Sequence, residues 1–285
     1  MIRFSVVIPA KSREGLLQRA IDSVLASPGA EQCEIIVIDD FSIPPLRPTN
    51  MREQDVIIRN SQSRGAAVAR NKGIDLAQGE IIYLLDSDDY FVQKSFIEDL
   101  ECLSLDNVLW FSDVTSGRYS SNYPASLEKD DFFDGIFFKY PYICQTSSLF
   151  FRRQSKFRFD EALPKHQDWD FAYSVLCQGG SLRKGRGKIY FDRSDKQSLS
   201  RIIAPMKSRA WFEKLRNLRS NNKSIDLAQV WFHLFCQNLS ECGWRSFFRT
   251  ACALLVKRKT NLKRVAKIFS HRMIAQVSRK TEVQA

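Results

Sequence analysis

Histidine is scarce in this chain: three in 285 residues, His166, His233 and His271, and none at a spacing that holds a metal. A metal centre built on histidine is thereby excluded. The seven cysteines, Cys33, Cys102, Cys144, Cys177, Cys236, Cys242 and Cys252, are odd in number and include no Cys-x-x-Cys pair, so they read as reduced core residues of a cytosolic protein. No uninterrupted apolar stretch reaches the roughly 18 residues that a spanning helix needs. The apolar run that ends at Ile8 is too short for a secretory signal and meets Pro9 at once. Internal repeats are also lacking. These absences lead to the expectation of a protein that stays where it is made.

What is present is an ordinary soluble composition, 44% hydrophobic and 26% charged, in a chain long enough for one large domain or one domain with an appendage. Charge is unevenly spread. Residues 201–285 hold 18 Lys and Arg against 4 Asp and Glu, whereas residues 1–200 hold 25 against 28. A basic appendage on a slightly acidic body points to an anionic partner, either nucleic acid or an anionic membrane surface.

Four short runs rich in β-branched and large apolar residues open the chain: Phe4–Ile8, Glu34–Ile38, Asp55–Ile58 and Ile81–Leu85. Between them lie helical spacings, with Leu16, Leu17, Ala20, Ile21, Val24 and Leu25 in residues 14–26, and Val68, Ile74 and Leu76 in residues 66–77 ahead of Gly79. The alternation predicts βαβ units around a mainly parallel sheet, an α/β fold. Ligands of such sheets bind at the carboxyl ends of the strands, where Pro9, Asp39, Asp40 and Asp86 to Asp89 fall. Further strands are expected at Val108–Phe111 and Ser147–Phe151, with an aromatic-rich stretch at 132–142 between them. After Arg201 the pattern turns helical, with Trp211, Phe212, Leu215 and Leu218, then Leu227, Val230, Trp231, Leu234 and Phe235. From Trp244 to Lys280, apolar and basic residues interleave.

Asp86, Ser87, Asp88 and Asp89 leave the fourth apolar run together. Carboxylates this close repel one another and raise each other's pKa, while a hard divalent ion such as Mg2+ or Mn2+ relieves the repulsion and can hold a diphosphate. The cluster therefore reads as a metal and nucleotide site. The competing reading is that Ser87, Asp88 and Asp89 cap a helix beginning near Val92.

Five separated segments resemble the family 2 glycosyltransferases of the A-type (GT-A) fold: residues 5–13 (SVVIPAKSR), 34–42 (EIIVIDDFS), 63–73 (SRGAAVARNKG), the acidic cluster at 86–89, and residues 166–170 (HQDWD). The resemblance runs over about residues 4 to 200. It implies a Rossmann-like nucleotide-diphospho-sugar transferase domain at 1–205, with a mostly parallel sheet and helices on both faces. The nucleotide-sugar half is 1–110 and the acceptor half 111–205, and 206–285 forms a basic helical appendage.

The resemblance also implies roles. Pro9, Ala10 and Arg13 face the nucleotide, and Asp39 with Asp40 accepts the imide N–H of a uracil, which argues for a UDP-sugar. Arg64, Gly65 and Arg70 lie by ribose or phosphate; Gly65 permits close backbone approach ahead of an anion-favouring helix N-terminus. Asp86 orients ribose or a metal-bound water beside Ser87. Asp88 ligates Mn2+ or Mg2+, with Asp89 as second ligand or cap. Asp168 is the general base that takes the proton of an incoming hydroxyl, giving single-displacement inversion; Asp170 is its nearest competitor. Gln167 and Trp169 face the acceptor. Three departures from the family pattern stand out: Gln167 in place of an acid, Phe41 in place of a common Gly, and Lys11-Ser12 in place of an aromatic and Asn. Residues 195–201 resemble a late loop near the diphosphate.

The basic tail, with Trp244, Phe247, Phe248, Leu254 and Leu255 beside Arg245, Arg249, Lys257, Arg258 and Lys259, suits either an amphipathic helix lying on an anionic membrane or a helical subdomain with a solvated basic face. A transferase acting on a lipid-linked glycan at the cytoplasmic face of the inner membrane would have a use for the first. The rival readings are a haloacid dehalogenase-type phosphatase, which also places Asp-x-Asp after a strand, a nucleic-acid-binding protein built on the tail, and an inactive nucleotide-sugar binder. No nucleic acid is expected as partner if the resemblance holds.

Overall fold

The computed structural model describes residues 2–93, 96–192 and 205–218, together with Leu227, Val230 and Leu234. The chain divides into two compact units, Met1–Ile202 and Ile203–Ala285. The first unit is built on one sheet in the strand order β3-β2-β1-β4-β9-β6-β10-β5.

Its amino-terminal part follows the expected alternation. β1 (Phe4–Ala10) and β2 (Cys33–Asp39) are buried at every position, as strands covered on both faces of a parallel sheet must be. They pair in parallel with Val7 opposite Ile36, and β4 (Ile81–Leu84) adds in parallel to the other side of β1 with Val7 opposite Leu84. β3 (Val56–Arg59) lies outermost, parallel to β2, and exposes Val56 and Ile57 as an edge strand. The crossovers are α1 (Glu14–Leu25), which buries Leu17, Ala20, Ile21 and Val24, and α2 (Ala66–Leu76). α2 lies against β1 and β2 so closely that a Cβ on Gly73 would meet Val7 Cγ1 at 2.3 Å. Parallel pairing brings the carboxyl ends of β1, β2 and β4 to one edge.

The remaining strands mix directions. β5 (Tyr90–Gln93) comes first in the chain, β6 (Val108–Ser116) is followed by the two-residue β7 (Tyr119–Ser120) and β8 (Ser126–Leu127), and β9 (Leu149–Arg152) inserts antiparallel between β4 and β6. The short helix α3 (Phe132–Asp134) and a π turn at Gly135–Lys139 set Phe132 and Phe133 against Tyr173 of α4 (Gln167–Cys177), with ring centroids 5.2 and 4.9 Å apart. β10 (Ser181–Tyr190) runs parallel to β6 and antiparallel to β5. An aromatic core of Phe4, Tyr83, Phe96 and Phe150 lies beneath these strands. Tyr83 stacks on Phe150 at 5.0 Å and its hydroxyl donates to Asp99 at 2.8 Å.

The segment after the acidic cluster corrects one expectation. Residues 90–93 are a strand that pairs with β10, and the next helical turn begins only at Ile97, so Ser87, Asp88 and Asp89 cap no helix. They form a tight turn closed by Asp89 N–H donating to Asp86 O at 3.0 Å. Among the described cysteines, Cys33 and Cys144 are buried free thiols as expected, whereas Cys177 is exposed.

In the second unit, α5 (Pro205–Leu218) buries Trp211 and Leu215, Leu227 is helical, and Val230 and Leu234 are helical and buried. Among the described residues no helix is long and apolar enough to cross a membrane. The basic segment at 244–280 and the late loop at 195–201 lie outside the described residues.

Candidate functional site

At the carboxyl end of β1 the chain turns through two left-handed residues, Ser12 (φ 58°) and Arg13 (φ 60°), and α1 starts at once. Pro9 and Ala10 are buried in β1, where the Ala10 carbonyl accepts the Asp40 N–H at 2.8 Å. Lys11 reaches Ser63 at 2.8 Å, and the Ser12 N–H donates to Ser42 Oγ at 2.7 Å, so the loops after β1, β2 and β3 are knitted together.

Asp40 is the centre of that knitting. It is 5% exposed and its two oxygens accept Asn60 Nδ2 at 3.0 Å, Ser63 Oγ at 2.8 Å and the backbone N–H groups of Arg64 and Gly65 at 2.8 and 2.9 Å. Burial pushes its carboxyl up, but the four donors outweigh it and hold the group below the usual carboxylate range. Asp39, 1% exposed, accepts the Ser42 N–H at 2.8 Å and lies 3.4 Å from Arg59 Nε. The expectation that this pair offers an open acceptor to a uracil imide is therefore corrected. All four lone-pair sites of Asp40 are taken by protein donors, and both carboxylates brace the loops that would face a nucleotide. Gly65 supports the same turn at φ 92° ahead of α2, and Arg64 gives its N–H to it. The Arg64 side chain lines an open concavity of about 470 Å³ with Arg59, Asn60, Lys72 and Glu161.

The acidic turn after β4 is divided by burial. Asp86 and Asp88 keep 23% and 17% of their side-chain surface exposed, Ser87 is 6% exposed, and Asp89 is sealed. Asp89 accepts Gln145 Nε2 at 2.9 Å, Ser147 Oγ, and the Asp192 N–H at 2.9 Å. Burial, with Asp86 and Asp88 beside it, pushes its carboxyl well above the usual range. The expected role of Asp89 as second metal ligand is corrected accordingly, since its oxygens are enclosed by protein donors and it anchors the turn from below.

Repulsion between the other two carboxylates is balanced by arginines. Arg70 Nη2 lies 2.5 Å from Asp86 Oδ1 and Arg13 Nη1 lies 3.5 Å from Asp88 Oδ2. Arg19 donates to the Asp88 carbonyl at 2.6 Å, pairs with Asp192 at 2.7 Å and sits 4.7 Å above the Tyr90 ring. Arg19, Asp192, Gln145 and Ser147 were not singled out by sequence reasoning; each acts on a partner more than 50 residues away, and no local pattern marks them. Among the described residues no three His, Cys, Asp or Glu side chains gather to hold a metal. A hard divalent ion bound with a diphosphate needs only one or two protein carboxylates, the rest of its shell being phosphate and water. The partly open pair Asp86 and Asp88 fits that donor set.

Opposite this turn stands the start of α4. His166 takes a left-handed conformation (φ 61°) and α4 begins at Gln167. Asp168 is half-buried, and the Trp169 N–H donates to its Oδ1 at 2.9 Å. Burial pushes its carboxyl up to about 6, against the lowering effect of that N–H and of Arg70, while Asp86 adds to the rise. A base poised there is ionised at neutral pH and can still accept a proton. Asp170, the competing candidate, is 3% exposed and more deeply buried in α4 than Asp168. Trp169, expected as an acceptor platform, is stacked on His166 at 4.8 Å and meets the edge of Phe137 at 5.5 Å.

Arg70 joins the two sides. Its guanidinium lies between Asp86 and Gln167, donating from Nη1 to Gln167 Oε1 at 3.0 Å, and is 5.2 Å from the Phe159 ring. Gln167 in turn donates to the Leu163 carbonyl at 2.7 Å.

Comparison with known proteins gives the family and the fold. A model of the family described as Glycosyl transferase family 2 matches residues 5–155. The succinoglycan biosynthesis protein ExoO of Rhizobium meliloti is 29% identical over 69% of this chain and 62% of its own length, and the amylovoran biosynthesis glycosyltransferase AmsB of Erwinia amylovora is 28% identical over 66% of this chain and 75% of its own. The Escherichia coli UDP-Glc:alpha-D-GlcNAc-diphosphoundecaprenol beta-1,3-glucosyltransferase WfaP is 31% identical over 49% of this chain and 52% of its own. The chain thus spans less than two thirds of ExoO and about half of WfaP. Among solved structures, Staphylococcus aureus TarS 1-349 in complex with UDP-GlcNAc superposes with a TM-score of 0.57 at 14% identity, over 84% of this chain and 73% of TarS 1-349, a likeness of fold.

Proposed function

The chain belongs to glycosyl transferase family 2, and from that premise we propose that it moves one sugar from a UDP-sugar to a hydroxyl of a lipid-linked oligosaccharide or growing surface polysaccharide, inverting the anomeric carbon. One observation carries this reading: a single buried guanidinium, Arg70, bridges the acidic turn and the first turn of the helix that bears Asp168. The group suited to a diphosphate and the turn bearing the group suited to deprotonating an acceptor are thus tied together by one guanidinium. The polysaccharide pathways named for ExoO and AmsB support the product class, and the UDP-glucose donor named for WfaP, with the UDP-GlcNAc held by TarS, supports the donor class.

In this mechanism the loops after β1 and β2, braced by Asp39 and Asp40, shape the nucleotide side through the backbone of Pro9 to Arg13. Asp168 takes the proton of the incoming hydroxyl as that oxygen attacks opposite the departing diphosphate, an effect of roughly a hundredfold to ten-thousandfold in rate. Arg13 and Arg70 offer positive charge where negative charge grows on the leaving group. Asp88, with Asp86 beside it, would hold Mn2+ or Mg2+, whose chemistry there is to neutralise the leaving diphosphate.

The test is thermal melting of the purified chain against a panel of nucleotide sugars with and without Mn2+. A UDP-sugar raises the melting temperature, and Asp88→Ala loses the Mn2+-dependent part of the rise; absence of any response to every nucleotide sugar contradicts the reading. The basic carboxyl-terminal region is proposed to hold the enzyme at an anionic membrane surface, where a lipid-linked acceptor resides. Co-sedimentation with anionic vesicles, weakened by salt and by deletion of residues 244–285, supports that placement, and unchanged binding after deletion contradicts it.

A further inference from the structure

Gln167 stands next to Asp168 in the first turn of α4, and the geometry gives its amide a use. Arg70 is 7% exposed and spends its two terminal nitrogens on different partners, Nη2 on Asp86 and Nη1 on Gln167. Gln167 cannot turn away freely, because its Nε2 is committed to the Leu163 carbonyl at 2.7 Å. The guanidinium is also backed by the Phe159 ring at 5.2 Å, so its plane is fixed from a third side. An amide at 167 holds Arg70 by a hydrogen bond yet carries no charge. A carboxylate there would still accept from Arg70, but would lose the bond to the Leu163 carbonyl, divide the charge of Arg70 with another anion and set a negative charge one residue from Asp168.

Building on the glycosyl-transfer reading, we infer that Gln167 is a positioning residue: it pins the Arg70 guanidinium between Asp86 and the turn carrying Asp168, so that one undivided cation balances both the donor-side carboxylate and the base. Gln167 then works through Arg70 and not by touching the acceptor, the role the family resemblance had implied for it. Asp168 is faced by Arg70 from α2, by Asp86 from the turn after β4 and by Cys144 from the segment ahead of β9, and is flanked along the chain by Lys165, His166 and Asp170. Arg70 is the cation of the three facing groups, so displacing it leaves Asp168 with the burial and the neighbouring carboxylate that disfavour its ionised form. Without its amide anchor, Arg70 can close on Asp86 with both terminal nitrogens, which withdraws it from the nucleotide as well as from the base.

The test uses the full chain, the three single variants Gln167→Leu, Gln167→Glu and Arg70→Lys, and the double variant Gln167→Leu with Arg70→Lys, with two readouts. The first is calorimetric affinity for UDP in the presence of Mn2+. The second is the rate of UDP release from UDP-glucose or UDP-GlcNAc between about pH 5 and 8, whose acidic limb reports the base. Gln167→Leu is expected to bind UDP several-fold more weakly, to release it about tenfold more slowly at neutral pH, and to show an acidic limb displaced to higher pH. Gln167→Glu is expected to keep UDP affinity within about twofold and still displace the limb upward, because an acceptor for Arg70 remains, now charge-assisted in place of the lost Leu163 bond, while a negative charge is added beside Asp168. The double variant Gln167→Leu with Arg70→Lys is expected to lose no more than the worse single variant, as for two residues acting as one unit. Gln167→Glu retains the acceptor oxygen for Arg70, so it carries the limb test if Gln167→Leu fails to fold. UDP affinity and limb unchanged in Gln167→Leu, an unshifted limb in Gln167→Glu, or fully additive losses in the double variant overturn the inference. A wild-type chain that binds no UDP overturns the glycosyl-transfer reading itself, a result distinguishable from any of these.

Discussion

Replacing Asp168 by Asn should inactivate the enzyme and, at neutral pH, stabilise it. Burial pushes the Asp168 carboxyl from 3.8 up to about 6. Because the folded-state value lies above the unfolded one, the protonated acid is the form the fold favours. That contribution is complete below about pH 4 and is lost as pH rises through about 6. At pH 7 the folded chain therefore carries an ionised carboxylate in a site that disfavours it, at roughly 1.4 kcal/mol for each tenfold change in its protonation equilibrium, or about 3 kcal/mol in all. Contact of Asp168 with solvent reduces this to about 2 kcal/mol. Asparagine keeps an oxygen for the Trp169 N–H, which now lies 2.9 Å from Oδ1, and has no charge to desolvate. Urea denaturation of wild type and Asp168→Asn at about pH 7, 5.5 and 4.5 is the assay. The variant should be more stable by about 2 kcal/mol at the first, by less at the second and by little at the third, while its transfer rate falls at least a hundredfold. A variant less stable than wild type at neutral pH, or a stability gap indifferent to pH, refutes the argument that this carboxylate is held against its own solvation for catalysis.

Two structural predictions bear on the frame that holds the site. Asp40→Ala leaves the Arg64 and Gly65 N–H groups, Asn60 and Ser63 without their acceptor and should cost about 3 kcal/mol at neutral pH. The Asp40 carboxyl lies below its usual value, so its contribution is present above about pH 4 and vanishes as pH falls through the depressed value; the gap from wild type should close in acid, as denaturation across pH will show. Gly79→Ala places a Cβ 2.5 Å from Phe4 C and 2.7 Å from Ser5 N, both backbone atoms of β1, so it should destabilise the sheet by about 2 kcal/mol or more and lower the melting temperature by several degrees.

The strands that form the floor of the site were legible because burial on both faces demands long apolar runs, and β1, β2 and β4 have them. β5 was not. Tyr90, Phe91 and Val92 are too few to show a period, and what makes them a strand is β10, about 100 residues later. The acidic turn was legible as a cluster of charge, but its balancing charges were not, since Arg19 and Arg70 stand on helices where an arginine is unremarkable until the fold carries it to Asp88 and Asp86. The fates of Asp40 and Asp89 were hidden for the same reason. Whether a carboxylate faces solvent or is enclosed by donors is a property of the packed loops, not of its neighbours in the chain. Phe41 shows the reverse, a local oddity that the structure accounts for. It stands at φ 66°, a left-handed position that costs a non-glycine residue about 1–2 kcal/mol, which is the reason glycine suits this place. Its ring lies 4.7 Å under the Arg59 guanidinium, a cation–π contact that offsets part of the strain.

The measurement that bears most directly on the central claim is release of UDP from a UDP-sugar by the purified chain with Mn2+, wild type beside Asp168→Asn, with UDP affinity determined in parallel. The account predicts that both proteins bind UDP alike and that wild type releases it at least a hundredfold faster. Equal rates in the two proteins, at equal affinity, would contradict it.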